Sequence, residues 1–526
     1  MVGIRVLFLY PNTFGMNMVP PAIAFLSALL KNEGHEVELF DSTYYDLNYG
    51  VNSEGIKAEQ LNVVPFDLGS RGIRMKTTDW RGDLCAQVER FSPDLIAISS
   101  TEDMWELGVM LLDSLSDYID KNSTPVIAGG VFPTFAPALV LSHPLINLVC
   151  IGEGENALVD LCATLAAGKL YDSVTNLWVK MPDGSIKKNP ISKPVDINQN
   201  PIIDLSLFEE QRLYRPMAGR VYKMFPVETH RGCPFTCRFC NSPDQMKLYD
   251  KEAGGGFFRK KSIEVVYEEL KYLKDALGCE YNYFWADTFL AMNNKEFDEF
   301  CEMYSDIKLP FWMQTRPETV TDYKLRRLAE VGLHRISFGI EHGDEDFRKR
   351  MLDRRWKNEL IIESLKIPHR YDIQFSLNNI TGFPEETREL AMETVELNRQ
   401  IDADNANIYS FVPFHGTPLR RVCEEQGLID SKTIVKCLTD RPMLEMPQYP
   451  VSEIEGLKKC FILYVNFPKD RWDKIRLAEE NSAKGNKIFS ELKDEFMDRY
   501  FVPPKDNPNA EFPSVADLEY GLTNPV

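Results

Sequence analysis

The chain has 526 residues, of which 44% are hydrophobic and 26% are charged, with 30 glycines and 32 prolines. This composition indicates a globular protein of two or three domains, and it excludes a single small module, a disordered chain and a fibrous repeat. The 79 acidic residues outnumber the 60 basic ones and give a net charge of −19. We therefore expect no general attraction to nucleic acid or to an anionic membrane.

No part of the sequence indicates export or insertion into a membrane. Mean hydropathy is −0.28, and no apolar run reaches the roughly 18 residues that a membrane-spanning helix needs. The apolar run at residues 4–10 is too short for a signal peptide, so we expect a cytoplasmic protein without a membrane span. The 11 cysteines are an odd number, which favours reduced thiols that bind metal over a disulfide framework.

Residues 1–174 alternate short apolar segments with helical patterns, which is typical of a parallel sheet covered by helices. Strands are predicted at 4–10, 36–40, 94–99, 125–128 and 148–151. They predict a doubly wound, Rossmann-like α/β domain, whose ligands bind beyond the carboxyl ends of the strands. The loops after residues 10, 99, 128 and 151 therefore form a candidate ligand crevice. The candidate residues in it are Ser99, Thr101, Gly129, Gly130, Val131, Phe132, Gly152, Glu153 and Gly154.

The rest of the chain is interpreted as three further parts. Residues 175–224 carry a hairpin signal, Asp183-Gly184, and a polar, proline-containing passage that predicts a linker. Residues 225–425 have predicted strands at 225–229, 281–285, 311–314, 335–338, 374–380 and 407–412, which favour a partial (β/α)6 barrel. Residues 426–526 have helical patterns at 453–465 and 472–501 and end in a proline-rich tail, which predicts a helical C-terminal region.

Three cysteines lie close together directly after the first predicted barrel strand. Cys233, Cys237 and Cys240 form a Cys-x3-Cys-x2-Cys motif within one loop. Three thiolates in one loop suit an iron–sulfur cluster, which ordinarily has four ligands, so that one iron is left open. The alternative is a zinc site completed by His230, whose position directly before the motif does not match the usual spacing of zinc ligands.

This cysteine spacing at the first strand of a β/α barrel resembles the radical S-adenosylmethionine (radical SAM) family. The resemblance implies that Cys233, Cys237 and Cys240 hold a 4Fe-4S cluster whose open iron binds the amino and carboxylate groups of SAM. It further implies that reduction of the cluster releases a 5′-deoxyadenosyl radical. A flavodoxin- or ferredoxin-type electron donor would supply the electron.

Later segments, each near the end of a predicted strand, are similar to the cofactor contacts of the same family. The resemblance assigns cofactor contacts to Phe239, Asp287, Arg316, Ser337, Glu341 and Gly382. Asn378 stands where the segment around Gly382 has its first glycine in the family. Each of these residues also has a purely structural explanation, such as a helix cap or a surface ion pair. Their order along six strands favours the functional interpretation.

The first domain resembles the cobalamin-binding domain that is fused to many radical SAM enzymes. Gly129-Gly130-Val131-Phe132 and Gly152-Glu153-Gly154 carry this resemblance, since small residues let the backbone approach a large flat cofactor. The sequence contains no Asp-x-His-x-x-Gly motif, so the lower ligand of cobalt is not predicted. The alternative is a doubly wound domain that binds nothing.

Together these resemblances imply a cobalamin-dependent radical SAM enzyme acting on a small molecule. The simplest reaction is transfer of a methyl group to an unactivated carbon or a phosphorus centre. The alternative is an oxidative cyclisation or rearrangement with the same cofactors. A methylthiotransferase would ordinarily show a second cysteine triad, whereas Cys85, Cys150 and Cys162 lie far apart in the first domain. A nonenzymatic scaffold would lack iron and sulfide. The sequence indicates neither the substrate nor a catalytic side chain.

Overall fold

The structure is a computed structural model that describes residues 3–504, except 16–17, 48, 50–52, 62, 64–65 and 438–439. Two seven-stranded sheets, each covered by helices, make up most of it. Most of the predicted tail after residue 502 lies outside the described residues. No helix in the described part is long and apolar enough to cross a membrane.

The first sheet begins with five parallel strands, in the order β2-β1-β3-β4-β5, so the predicted doubly wound domain is confirmed. The strands are β1 (Arg5–Tyr10), β2 (Glu36–Asp41), β3 (Leu95–Ser99), β4 (Val126–Gly129) and β5 (Leu148–Cys150). Their central residues are buried because helices cover both faces of the sheet. The helices are α1 (Pro21–Asn32), α2 (Ser53–Glu59), α3 (Trp80–Phe91), α4 (Trp105–Asp113), α5 (Ser116–Asn122), α6 (Val131–Phe135), α7 (Pro137–Leu141) and α8 (Glu155–Ala166).

The passage predicted as a linker, 175–224, contributes strands to both sheets. The hairpin of β6 (Leu177–Lys180) and β7 (Ile186–Lys188) extends the first sheet in antiparallel fashion beyond β5. A second hairpin, β8 (Tyr214–Met217) and β9 (Arg220–Val227), starts the second sheet. It turns through Ala218 and Gly219, which both have positive φ (53° and 80°), as a two-residue hairpin loop requires.

The second sheet confirms the partial (β/α)6 barrel, since six strands, β9 and β12–β16, are parallel and pair in chain order. After β9, the parallel strands of this sheet are β12 (Tyr281–Phe284), β13 (Phe311–Thr315), β14 (Leu333–Glu341), β15 (Gln374–Thr381) and β16 (Asn405–Ser410). Two short strands, β10 (His230–Arg231) and β11 (Arg259–Lys260), pair with each other outside this sheet. The helices are α9 (Ser242–Ala253), α10 (Ile263–Asp275), α11 (Asn294–Ile307), α12 (Asp322–Val331), α13 (Glu345–Leu352), α14 (Asn358–Leu365), α15 (Arg388–Arg399) and α16 (Pro418–Glu425).

The C-terminal region covers the last barrel strands. Its helices are α17 (Val451–Asn466), α18 (Trp472–Ala478) and α19 (Ala483–Arg499). Helix α17 packs against α15 and β16 and buries Ile454, Leu457 and Phe461 completely. The helical pattern predicted over 472–501 is two helices, because Ser482 starts α19 as an N-cap that accepts a hydrogen bond from the Gly485 backbone.

Candidate functional site

The cysteine loop lies between β10 and α9 and brings a polar group to each thiol. The hydroxyl of Thr288 lies 3.5 Å from Cys233 Sγ, and the Arg316 guanidinium donates to Cys237 Sγ over the same distance. The backbone N–H of Ser242, at the start of α9, donates to Cys240 Sγ at 3.5 Å. Hydrogen bonds of this kind stabilise thiolate sulfur.

The pKa of Cys240 does not distinguish it from cysteines elsewhere in the barrel. Burial raises the pKa of Cys240 to about 12, and it does the same to Cys279 and Cys301, which lie elsewhere in the barrel. In the described part of the chain, no three His, Cys, Asp or Glu side chains converge as the ligands of one metal ion do. A four-iron cluster takes its thiolates at separate corners, so its ligands lie farther apart than those of one ion. What distinguishes the three cysteines is that they share one loop.

Arg316 follows β13 and lies across the cysteine loop. Its guanidinium stacks on Phe235, a loop residue, with 4.0 Å between the guanidinium carbon and the ring centroid. It also forms an ion pair with Glu318. The Arg316 Nε atom is buried and has no hydrogen-bond partner among the described residues. A ligand that accepts a hydrogen bond there would therefore remove an unsatisfied donor.

Glu341 ends β14 in an unusual backbone conformation. Its φ is +69°, and the pairing of β14 with β15 shifts register between Gly339 and Glu341. The carboxylate accepts a hydrogen bond of 2.9 Å from the buried Arg354. Burial raises the pKa of Glu341, while Arg354 and Arg316 oppose that rise. Non-glycine residues in the left-handed region concentrate at functional sites, where the surrounding structure holds them.

Asp287 and Gly382 lie at the ends of two other barrel strands. The side chain of Asp287 remains accessible and accepts a hydrogen bond from Ser242, and the protein atoms around it raise its pKa by desolvation. Gly382 has a φ of +86°, and its backbone N–H donates to the buried carboxylate of Glu386. Phe383 N–H donates to the same carboxylate at 2.8 Å. Glu386 therefore fixes the loop after β15.

The lumen of the half-barrel holds a cavity of about 980 Å³ with a largely polar wall. Trp312 Nε1 donates to Ser337 Oγ at 3.1 Å, and the Ser337 and Ser376 hydroxyls lie 2.9 Å apart. Gln314 and Asn378 line the same wall. The predicted cofactor contact Ser337 thus lies in the lumen, within a network of uncharged hydrogen-bonding groups. Such a wall suits a polar small molecule.

The loops of the predicted ligand crevice lie at the carboxyl edge of the first sheet. Ser99 ends β3, and the loop that follows it meets the loop after β4, because a Cβ on Gly130 would lie 2.7 Å from the Ser100 carbonyl oxygen. Gly130 also has a φ of +117°. Thr134 Oγ1 accepts a hydrogen bond of 3.0 Å from Gly152 N, which connects the loops after β4 and β5. The loops therefore adjoin one another, as predicted.

The exposure of the other crevice residues varies. Thr101 is exposed and Val131 is 37% exposed, so both are accessible to a ligand. A Cβ on Gly129 would make only an ordinary van der Waals contact with Cys150. A Cβ on Gly154 would make ordinary contacts with Leu26 and Cys150. The Phe132 ring is buried, so it does not face an open crevice.

The crevice loops contact the carboxyl end of the barrel. Glu102, which follows β3, accepts hydrogen bonds from the His415 backbone N–H at 2.8 Å and from Val435 N–H at 3.2 Å, and lies 2.6 Å from His415 Nδ1. Phe132 packs edge-on against His415, with ring centroids 5.4 Å apart. His415 follows β16, so the candidate crevice faces the mouth of the barrel.

A second contact connects the crevice to the cysteine loop itself. Arg231, two residues before Cys233, pairs with Glu153 at 2.7 Å and with Glu155 at 2.6 Å. Arg259 also pairs with Glu153. Burial would raise the pKa of Glu155, but the Arg231 charge holds it below its ordinary value. The carboxylate of Glu153, a predicted cofactor contact, is therefore part of an interdomain ion-pair network.

Two protein-family models match the chain. The radical SAM superfamily model matches residues 227–397, and the B12 binding domain model matches residues 67–162. The chain therefore contains a B12-binding domain and a radical SAM domain. Its cofactors are accordingly a 4Fe-4S cluster, S-adenosylmethionine and cobalamin, and it is a radical SAM enzyme.

Several relatives of the enzyme are similar over most of its length. An uncharacterised methyltransferase of Pyrococcus horikoshii is 24% identical over 86% of this chain and 88% of its own. The anaerobic magnesium-protoporphyrin IX monomethyl ester cyclase of Rubrivivax gelatinosus is 24% identical over 80% of this chain and 70% of its own.

Two solved structures share the fold. The cobalamin-dependent SAM radical enzyme OxsB has a TM-score of 0.65 at 16% identity, covering 96% of this chain and 74% of its own. The radical SAM methyltransferase TsrM of Kitasatospora setae has a TM-score of 0.61 at 15% identity, covering 94% and 100%.

The described residues of the enzyme fit these cofactors. The cysteine loop supplies three thiols with hydrogen-bond partners, and Arg316 supplies an unsatisfied buried donor beside them. The crevice loops contain glycines after β4 and β5, where a flat cofactor can approach the backbone, and Val131 beside them is 37% exposed. None of the seven histidines lies in the crevice loops, and the ring nitrogens of His415 already lie within hydrogen-bond distance of Glu102 and the Ser431 carbonyl. His415 is therefore not placed as a cobalt ligand.

Sequence reasoning missed the residues that support the site from a distance. Arg354 pairs with Glu341, Glu386 holds the Gly382 loop, and Arg231 connects the two domains. Glu386 lies four residues after Gly382 and is buried, whereas its neighbour Glu385 is exposed. Arg231 directly precedes the Gly-Cys pair of the cysteine motif. Arg354 carries no local signal.

Proposed function

We propose that the enzyme is a methyltransferase that acts on a carbon or phosphorus centre of a polar small molecule. The observation that carries the proposal is that the crevice loops face the mouth of the barrel. Glu102 and His415 make this contact, and the polar lumen lies beside it. Gly15, in the loop after β1, lines the same cavity as Gln314 and Asn378, so the crevice side and the lumen share one space. Close placement is what a transfer between two cofactors and a substrate requires.

Each group of residues has a role in this proposal. Cys233, Cys237 and Cys240 bind the cluster, while Phe239, Asp287, Arg316, Glu341 and Gly382 surround SAM. The small residues after β4 and β5 approach cobalamin. Ser337 and its hydrogen-bonded neighbours in the lumen hold the substrate. When bound, cobalamin can carry a methyl group, and SAM with the cluster can supply a carbon radical.

The names of relatives support methyl transfer but leave one competitor. The P. horikoshii relative and TsrM are named as methyltransferases, whereas the R. gelatinosus relative is named as a cyclase. The two reactions differ in what remains of SAM. Methyl transfer from SAM leaves S-adenosylhomocysteine, and a cyclase using only the radical leaves 5′-deoxyadenosine.

The test is to purify the protein without oxygen, load it with cluster and cobalamin, reduce it with dithionite and add SAM. We expect both S-adenosylhomocysteine and 5′-deoxyadenosine by chromatography. The matched control is Cys85→Ala, a thiol outside the cysteine loop, which should give the parent's products. Formation of 5′-deoxyadenosine with no S-adenosylhomocysteine would reject the methyltransferase and favour the cyclase.

A further inference from the structure

The segment 348–357 concentrates positive charge in a strongly acidic chain. Six of its ten residues are basic and one is acidic, whereas the whole chain carries a net charge of −19. Lys349, Arg350, Arg355 and Lys357 are exposed, and Arg238 of the cysteine loop lies beside them. We call these five residues the basic patch.

The patch keeps free charge at its surface. Arg350 pairs with Glu385 and Arg355 with Asp353, but these are exposed pairs of small energetic value. Lys349 and Lys357 form no ion pair within the described part of the chain. Acidic Asp346 and Glu359 lie on either side, so this run of positive charge is confined to the end of α13 and its connection to α14. A localised patch of this kind steers a small partner of opposite charge.

The inner side of the same segment encloses the cysteine loop. Thr236, between Cys233 and Cys237, donates to Asp353 at 2.6 Å. The Arg238 side chain donates to the Arg350 carbonyl oxygen at 3.1 Å, and its backbone N–H donates to the Leu352 carbonyl at 3.2 Å. The exposed cations therefore lie on the outer side of the segment 348–357, whose inner side contacts the cysteine loop.

Apolar surface lies within the patch. Trp356 is 40% exposed and Leu360 is 49% exposed. Exposed tryptophan and arginine together are typical of the residues that dominate binding energy at protein interfaces. Exposed apolar side chains close in sequence to exposed cations indicate a docking surface for a folded protein.

We propose that the basic patch docks a small electron-transfer protein with an acidic surface, of the flavodoxin or ferredoxin type. This inference rests on the proposed function, which requires one electron for each radical formed. In the docked complex the reduced donor loses one electron, the cluster gains it, and no covalent bond forms. The net charge of −19 repels an acidic donor from the rest of the surface. The donor is therefore expected to bind at the basic patch, which lies beside the cysteine loop.

The experiment compares the parent holoenzyme with Lys349→Glu/Arg355→Glu/Lys357→Glu. The matched control is Lys121→Glu/Lys169→Glu/Lys487→Glu, which reverses three exposed lysines elsewhere. We measure binding of flavodoxin by titration at several salt concentrations. We then measure 5′-deoxyadenosine formation, once with flavodoxin and its reductase and once with dithionite.

We expect the patch variant to bind flavodoxin about tenfold more weakly at low salt and to lose most of the salt dependence of binding. Its flavodoxin-driven rate should fall in parallel, while the dithionite-driven rate and iron content equal the parent's. The control variant should match the parent throughout. A second variant, Trp356→Ala, should weaken binding without changing its salt dependence.

Unchanged flavodoxin binding in the patch variant overturns the proposal. Equal loss with flavodoxin and dithionite also overturns it, since the segment would then act on the cluster site and not on docking. Parent binding to anionic vesicles or to DNA, with none to flavodoxin, assigns the patch to another partner. Failure of the methyltransferase proposal is separate, because it appears as missing S-adenosylhomocysteine with dithionite.

Discussion

Glu341 shows at the scale of one residue how backbone and charge act together. Its positive φ and its buried pair with Arg354 place a carboxylate at the end of β14. We expect Glu341→Gln to keep the fold and the iron but to raise KM for SAM about tenfold, because the side chain keeps its shape and loses its charge. Glu341→Ala should lower stability more than Glu341→Gln, by about 3 kcal/mol, since it removes both the charge and the hydrogen-bond acceptor that face the buried Arg354.

The control for Glu341 is another glutamate with the same backbone conformation. Glu385 has a φ of +62° but is exposed and pairs with Arg350 at the surface. Glu385→Gln should change neither KM for SAM nor Tm, as expected for a surface ion pair. Equal effects of the two Gln substitutions would show that Glu341 has no special relation to SAM.

The three loop cysteines give the second prediction at this scale. Changing Cys233, Cys237 or Cys240 to Ala should remove iron and sulfide and abolish 5′-deoxyadenosine formation, because a cluster needs all three thiolates. Cys301→Ala, a buried cysteine of α11, should keep both, although it can lower Tm. Chemical analysis of iron and sulfide on anaerobic protein is the measurement. A loop variant that keeps parental iron and SAM cleavage contradicts the assignment.

Sequence analysis predicts those site residues that belong to a short, continuous motif. The cysteine spacing lies within eight residues and needs no fold to be recognised. Arg354 was missed because its role depends on a contact with Glu341, which only the packing of the segment after α13 against β14 creates. The same holds for Glu153, whose carboxylate turns to Arg231 and Arg259 of the barrel domain.

At the scale of elements, the glycine pair after β4 offers a test of the crevice. Gly130→Ala should lower Tm and cobalamin content, since a Cβ would meet the Ser100 carbonyl at 2.7 Å and φ is +117°. Gly129→Ala should leave Tm unchanged, because its Cβ would make an ordinary contact. Cobalamin is measured by absorbance after reconstitution. Equal Tm in both variants would contradict this account of the loop.

Lys458 gives a pH-dependent prediction for α17. Its ammonium is buried and donates to Ser410 at the end of β16, and burial lowers its pKa to about 8. The folded state therefore resists carrying this charge, while the unfolded chain holds the proton up to about pH 10.5. The penalty is complete below pH 8 and disappears as the pH rises from 8 to about 10.5.

Replacing Lys458 by Met should therefore raise Tm at pH 7 and change it much less near pH 10. Thermal unfolding under anaerobic conditions at the two pH values measures the difference. Lys487→Met, at an exposed position of α19, is the control and should show no pH-dependent shift. A stabilisation that is the same at both pH values would show that the buried charge is not its cause.

Element prediction succeeded where burial pattern alone decides structure. The central strands β1 and β3 of the first sheet are buried on both faces and have short apolar sequences, so their predicted bounds agree with the structure to within a residue. Polar residues such as Lys180 and Lys188 interrupt the apolar pattern of β6 and β7, so 175–224 resembles a linker in sequence. Of its two hairpins, β7 and β8 form the edges of the two sheets. Which sheet an edge strand joins is a tertiary property.

At the scale of the whole molecule, tertiary contacts fix the relation between the two domains. The contacts that fix it join residues far apart in sequence, such as Glu102 with His415 and Arg231 with Glu155. No local pattern encodes such a pair. The crevice and the barrel mouth face each other because polar groups of one domain complete the hydrogen bonds of the other.

The last prediction tests that interface. Glu102→Ala leaves the backbone N–H groups of His415 and Val435 without their buried acceptor, at about 1–3 kcal/mol for each. It also removes the carboxylate that lies 3.8 Å from the Arg420 guanidinium, which keeps its other acceptors. Glu102 bonds to His415 and Val435 and not to the three cysteines, although Asn241 at the end of the cysteine loop donates to the His415 carbonyl. Iron content and 5′-deoxyadenosine formation should therefore persist. S-adenosylhomocysteine should fall, because the crevice is no longer held against the barrel. Its ratio to 5′-deoxyadenosine is the measurement.

Two further variants make this test specific to the contact. Glu102→Gln should give an intermediate ratio, because its amide oxygen still accepts from a backbone N–H but carries no charge for Arg420. Glu89→Ala, at an exposed position of α3, should give the parental ratio. If all three variants form the two products in the parent's proportion, the Glu102 contact does not hold the cofactors together. The facing of crevice and barrel would then not be what couples SAM to methyl transfer.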